Sequence, residues 1–245
     1  MEQEYFDFTK EEYQLLKGHK IDSTFDPNFN ILTFSQYYQA LEYVSEPFII
    51  FEYRFGSLNR YLEYSKRYCD EYIATTNEYL KKLLFNRDSS AEEYDIHSEI
   101  GLPDTEYFSE YNYSSILSML TTILENFIVQ ISKEIASEKN VKYAIKNRKD
   151  PIINKHLDFL CDSCNLKVDI EPVLLINLDL IRTVRNKYIH NIDGTFTNRV
   201  LSKLKKYHPH SFRNNNFTLD YLFMDHSFET IGSFVKRIEI SCAKE

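Results

Sequence analysis

The chain has 245 residues and a mass of 29.3 kDa, enough for one large domain or two small ones around a substantial core. Its formal net charge of −8 argues against a protein that coats nucleic acid over its whole surface. Trp is absent, Tyr and Phe number 19 and 18, and with only five Gly and six Pro the chain has few breakers, a composition that favours helices.

Residues 1–34 are irregular by pattern, with Gly18 and Asp26-Pro27-Asn28 as turn signals, and are expected to pack as an extended segment on the rest. Ser35 is placed to cap a short helix to about Val44, and Pro47 to open another at its first turn. From Leu58 to Phe85 the residues Leu58, Tyr61, Leu62, Tyr68, Tyr72, Ile73, Tyr79, Leu80, Leu83 and Leu84 recur at helical spacing and predict a long first bundle helix. Residues 86–112 are polar, acidic and broken by Gly101 and Pro103, which predicts a long acidic connection with one helical turn at most. A second strong helix is expected from Ser114 or Ser115 to about Ser137, burying Leu117, Leu120, Leu124, Phe127, Ile131 and Ile135, with Glu125 beside that stripe. A shorter helix over Ile152–Cys161 follows Pro151. Pro172 then opens a helix that ends at His190, and a last one runs from Leu219 to about Ile240. Four long amphipathic helices without strand alternation predict an all-α antiparallel bundle over 58–245, preceded by an N-terminal extension over 1–57.

Charge is unevenly spread. Residues 1–112 hold 22 acids and 10 bases, whereas residues 181–213 hold eight bases (Arg182, Arg185, Lys187, Arg199, Lys203, Lys205, Lys206, Arg213) against one acid, Asp193. A basic island on an acidic protein can hold a polyanion locally while the remainder limits indiscriminate binding. The lysines at 203, 205 and 206 also have a plainer reading, as the solvated face of a helix. Cys161-Asp-Ser-Cys164 with His156 supplies three potential zinc ligands and no fourth, and His208-Pro209-His210 lacks nearby carboxylates, so no metal site is expected. His19, His97, His156 and His226 have no supporting neighbours in sequence and are read as ordinary residues. The opening Met1-Glu-Gln-Glu-Tyr carries no signal-peptide pattern, and no apolar run approaches the ~20 residues of a membrane span, so a cytoplasmic location without membrane contact is expected.

The stretch Arg185-Asn186-Lys187-Tyr188-Ile189-His190 carries the chemistry. Leu174, Leu178, Ile181 and Tyr188 form one face of a 3.6-period helix, and Arg185 falls on that row, four residues after Ile181 and three before Tyr188. An arginine aimed at a helix seam is costly unless its guanidinium meets an anion, either a neighbouring carboxylate such as Glu125 or a phosphate. His190 follows where Asn191, Asp193 and Gly194 should stop the helix. RNA carries its own nucleophile, the ribose 2′-hydroxyl, so cleavage needs only proton transfer and charge stabilisation. An imidazole, with an ordinary pKa of ~6.5, suits the proton steps. A guanidinium suits the charge step because its planar fork holds two phosphate oxygens. Asn186 can orient either group, and Lys187 should point away from the Arg185 face toward solvent or a flanking phosphate. Arg182, with Asp179 as its i+3 partner, and Arg199 and Lys203 would contact flanking RNA. One histidine cannot act on both sides of an in-line phosphorus, so a homodimer with a composite cleft is expected.

Arg185-Asn186-x3-His190, closing an apolar helix that follows one bearing Glu125, resembles the signature of the HEPN superfamily (higher eukaryotes and prokaryotes nucleotide-binding) of all-α proteins. The resemblance implies a four-helix bundle that dimerises, with Arg185 as phosphate ligand, His190 as proton-transfer group, Asn186 as orienting residue and Glu125 as the acid on the preceding helix. It implies no cofactor. It further implies a metal-independent endoribonuclease acting as a bacterial toxin, in phage defence or in RNA processing, with an antitoxin or regulatory partner. Some members of the family lack catalysis, and the alternative is a helical module that binds a partner protein or RNA without cutting it. A small phosphate ligand on Arg185 is a third expectation.

Overall fold

The computed structural model describes residues 35–85, 91–145, 149–190 and 195–244; the extension over 1–34 and the helix stop at Asn191, Asp193 and Gly194 lie outside them. The helices are α1 (Glu46–Phe85), α2 (Ala91–Glu138), α3 (Ile152–Asp158, continued by a π turn over Phe159–Ser163), α4 (Pro172–His190), α5 (Asn198–Tyr207) and α6 (Tyr221–Ala243). Between α5 and α6 a two-residue hairpin pairs β1 (Phe212–Arg213) with β2 (Asn216–Phe217), turning at Asn214 and Asn215, both at positive φ. The all-α expectation holds, and the hairpin is its one exception among the described residues.

The four long helices share one core. Phe48 and Phe51 of α1 pack on Phe127 of α2, and Tyr68 and Tyr72 pack on Phe108, so α1 and α2 run antiparallel. Tyr221 at the start of α6 bonds Glu63 while Phe228 packs on Phe55, which sets α6 antiparallel to α1. At the C-terminal end of α4, Tyr188 bonds Glu110 of α2, and one face earlier Asn177 bonds His226 of α6. Phe48, Phe51, Phe55, Leu117, Leu124, Phe223, Phe228 and Phe234 are wholly enclosed. Each of these phenylalanines or leucines contributes roughly 1.5–3 kcal/mol by leaving water. Side-chain caps mark two starts: Thr197 accepts from the Val200 N–H for α5 and Asp220 from the Phe223 N–H for α6.

Two expectations are overturned, a connection that is helical and a short helix that is not. The acidic connection placed at 86–112 is helical from Ala91 onward, and Gly101 and Pro103 lie inside α2. Local breakers are overridden there because α1 runs alongside: Phe108 meets Tyr68 and Tyr72, and Asn112 reaches the Cys69 thiol. The boundary expected at 57/58 likewise falls within the continuous helix α1. Residues 35–45, by contrast, are not helical. Their N–H groups are taken by two buried carboxylates: Glu239 accepts from Leu41, Glu42 and Tyr43, and Glu52 from Ala40. The strap crosses α6 so closely that a Cβ on Gly232 would sit 2.4 Å from the Tyr37 carbonyl oxygen.

Tyr107–Glu138 is long and apolar enough, with a mean hydropathy of 1.3 over its most apolar window, to match a membrane span by composition, contrary to the sequence expectation. Leu117, Leu120, Leu124, Ile128 and Ile131 of that stretch are sunk in the core, so its apolarity serves packing between helices.

Burial pushes the Glu52 carboxyl up to about 8 from its ordinary 4.5, with Glu239 adding to the shift and the Ala40 N–H opposing it. A carboxyl whose folded value is raised contributes stability that is complete below its unfolded value and is lost as pH rises through the folded one. Glu52→Gln should therefore melt several degrees above wild type at pH 8 and lose that advantage towards pH 4.5, as read by circular dichroism. An advantage independent of pH would contradict the assignment.

Candidate active site

Helix α4 carries its sequence-nominated residues on its last two turns. Ile181, Val184 and Tyr188 are buried, Arg185, Asn186 and Lys187 half-buried, and Ile189 and His190 exposed. Arg185 thus stands at the margin of the core, as its place on the apolar row predicts. Its Nη1–H donates to Asn186 Oδ1 at 3.0 Å, and its Nε is closed off from solvent with no partner among the described residues. No carboxylate among those residues pairs with it. Arg182 Nε is likewise enclosed without a partner among the described residues, but Arg182 differs in having a counter-charge: its Nη2 sits 2.7 Å from Asp179, as the i+3 spacing predicts.

Arg185 and His190 do not meet within one copy. Five helical residues separate them by about 7.5 Å along the axis and about 140° around it. Asn186 connects the two faces, because it accepts from Arg185 and lies one turn before His190 on the His190 stripe. One copy therefore presents a phosphate-sized cation and an exposed imidazole on two sides of one helix end.

Lys187 does not point to open solvent. Its ammonium lies over the rings of Tyr188 and Phe196, 4.5 and 5.1 Å from their centroids, which ties the start of the following segment to α4. Arg199 is exposed and Lys203 half-buried, four residues apart on α5. That helix strings Arg199, Lys203 and Lys206 along its length. Lys205 donates to Asn215 at the tip of the hairpin.

The acid at this helix end is not Glu125. No hydrogen bond or ion pair links Glu125 to Arg185, and Glu125 lies fifteen residues, ~22 Å of helix, beyond Glu110. Glu110 is the carboxylate brought to the motif, accepting from the Tyr188 hydroxyl at 3.2 Å. Burial, reinforced by Glu110, raises the Tyr188 hydroxyl's pKa, so it stays a donor. Glu110 was hidden in sequence by the breakers Gly101 and Pro103. Its signal was the heptad Glu110, Leu117, Leu124, Ile131, an acid on the upstream extension of the buried stripe.

Other histidines gain neighbours. His226 Nε2 accepts from the Asn177 side-chain amide at 3.3 Å, and its ring packs edge-on against buried His208, 4.7 Å between centroids. Burial, with His226 adding to it, pushes His208 down to about 4, so it is neutral at physiological pH. His156 bonds Ser132 at 3.0 Å. Cys161 is exposed and Cys164 buried, and no group of three or more His, Cys, Asp or Glu among the described residues is arranged to hold a metal ion. A groove of about 880 Å3 between α1 and α2 lies elsewhere. Its walls include Tyr53, Leu58, Tyr61, Met119 and Ile123, and Arg54 is its single charge, so it suits apolar groups rather than a phosphodiester.

The Tyr188–Glu110 bond should couple the motif to α2. Tyr188→Phe and Glu110→Ala should each cost about 1 kcal/mol in urea unfolding, and the double variant should cost clearly less than their sum. Strictly additive losses would show that the bond contributes nothing.

Family models, curated proteins and solved structures were each searched, and none matches this chain.

Proposed function

We propose that this chain is a metal-independent endoribonuclease of HEPN type. In this reading the four long helices form that family's dimerising bundle, and the protein acts in the cytoplasm as a toxin or phage-defence effector restrained by a cognate partner. The observation that carries the reading is Arg185: a half-buried guanidinium that, among the described residues, bonds a neutral amide and no carboxylate, and whose Nε has no partner there. Such a cation is in want of an anion, and a phosphodiester supplies two oxygens to its fork.

In this mechanism Arg185 holds the non-bridging oxygens and stabilises the charge that grows as the 2′-oxygen attacks phosphorus. His190, exposed at the helix end, takes the 2′-hydroxyl proton. The leaving 5′-oxygen, on the opposite side of phosphorus, takes its proton from a second imidazolium, the His190 of the other copy. The divergence of Arg185 and His190 around α4 means that the Arg185 of one copy and the His190 of another must flank the same phosphate, which is why the reading includes a two-fold dimer. Asn186 accepts from the guanidinium and orients its fork. On α5, Lys203 engages a neighbouring phosphate without reading bases, whereas Arg199 serves the contact between copies. Arg182, already paired with Asp179, contributes least. Lys187 acts by holding Phe196 against α4.

The same divergence favours a second reading. If no dimer gathers the two groups, the helix end is a site for binding RNA or a partner protein without cleavage.

On a mixed RNA substrate with EDTA present, wild type should leave 2′,3′-cyclic phosphate and 5′-hydroxyl ends. His190→Ala and Arg185→Ala should each lower the rate roughly 100-fold or more. A 2′-deoxy residue at the cleaved position should block the reaction. Unchanged rates in both variants, with circular dichroism intact, would leave only the binding reading.

A further inference from the structure

Helices α1 and α2 outrun the rest of the fold. α4 ends beside Glu110, yet α2 continues back to Ala91, nineteen residues or ~28 Å past that contact, and α1 keeps pace from Cys69 to Phe85. Along this projecting arm the core is thin: beyond Cys69, Leu80 is the one buried side chain among those described in α1. Ile73, Phe85, Tyr107 and Tyr111 are exposed, Phe85 to 79 %. A bare two-helix hairpin buries too little to be stable by itself, so a covering surface would stabilise it.

The charge of the arm specifies that surface. Residues 91–110 hold seven acids (Glu92, Glu93, Asp95, Glu99, Asp104, Glu106, Glu110) and no Lys or Arg. The opposite charge sits on the same chain, on α5 and the hairpin, where residues 195–217 contain five Lys or Arg and no acid. The two do not overlie one another within a copy. α5 starts at the motif end, where Phe196 meets Lys187, and runs back along the bundle until His208 packs on Phe223 of α6. The arm leaves that same level in the opposite direction.

We propose that a second copy of this chain fills the gap: the acidic arm of each protomer lies along the basic α5 face of the other, in a two-fold pair with the α4 ends facing. A two-fold operation makes the contact occur twice. It also reverses the direction of the partner, so that an arm of ~28 Å passes the partner's ten-residue α5, ~15 Å long. The inference rests on the dimer proposed above and assigns its geometry. It needs no cleavage to be true.

Asp95 and Glu99 are exposed one turn apart on the arm, and Arg199 and Lys206 are exposed on α5. Sedimentation of the full chain in 100 mM salt should show a dimer that weakens at 500 mM. Asp95→Lys with Glu99→Lys should weaken it at least 10-fold, as should Arg199→Glu with Lys206→Glu. All four changes in one chain should restore it, since each reversed arm again meets a reversed helix. A wild type that stays monomeric at 100 μM, arm variants that dimerise normally, or a fourfold variant that fails to recover while helical content is intact would each overturn the proposal. Arm-mediated dimers that leave RNA uncut would instead refute only the nuclease reading.

Discussion

A positive charge set at the edge of an apolar seam is the constraint on which the functional account depends. Arg185 occupies a position that Ile181 and Tyr188 hold with apolar bulk, and among the described residues its one bond is to an uncharged neighbour. Partly desolvating a guanidinium without a counter-charge works against folding, and an apolar residue on that row would pack at lower cost. Arg182, three residues earlier on the same helix, shows what ordinary stabilisation looks like: an i+3 carboxylate at 2.7 Å. The two arginines thus differ in their counter-charge: among the described residues Arg182 has a carboxylate and Arg185 has none.

The fold supports that position from both sides. Tyr188 is pinned by Glu110, which holds the last turn of α4 against α2. Lys187 is laid over Phe196, which directs the chain into the basic helix α5. At the far end of the molecule the strap over residues 35–45 is fastened by Glu239 and Glu52, two buried carboxylates whose acceptors replace a helix the strap does not form. These polar clamps are spent at opposite ends, one fixing the motif and one closing the core around Phe48 and Phe51.

Much of this was legible in sequence where periodicity was strong. The helix Pro172–His190 opens at Pro172 as expected and carries the apolar row, and the last helix differs by two or three residues at each end. What escaped was decided by distant partners. Gly101 and Pro103 signal a break locally, yet α1 alongside keeps α2 helical, and with the break went any view of Glu110. Ser35 signals a cap, yet the N–H groups beyond it are claimed by residues two hundred positions away. Glu125 was nominated by adjacency to a stripe, and register placed Glu110 at the motif instead. The side-by-side spacing of Arg185 and His190 in sequence also concealed their angular separation, which only the continuous helix to His190 makes plain.

The most direct test of the central claim follows the arginine side-chain N–H signals by NMR while a non-cleavable 2′-O-methyl oligonucleotide is added. The Arg185 Nε–H should shift with the saturation curve of binding, while the Arg182 Nη2–H signals, held by Asp179, should stay nearly still. A shift of the Arg182 signal with Arg185 unmoved would contradict the account.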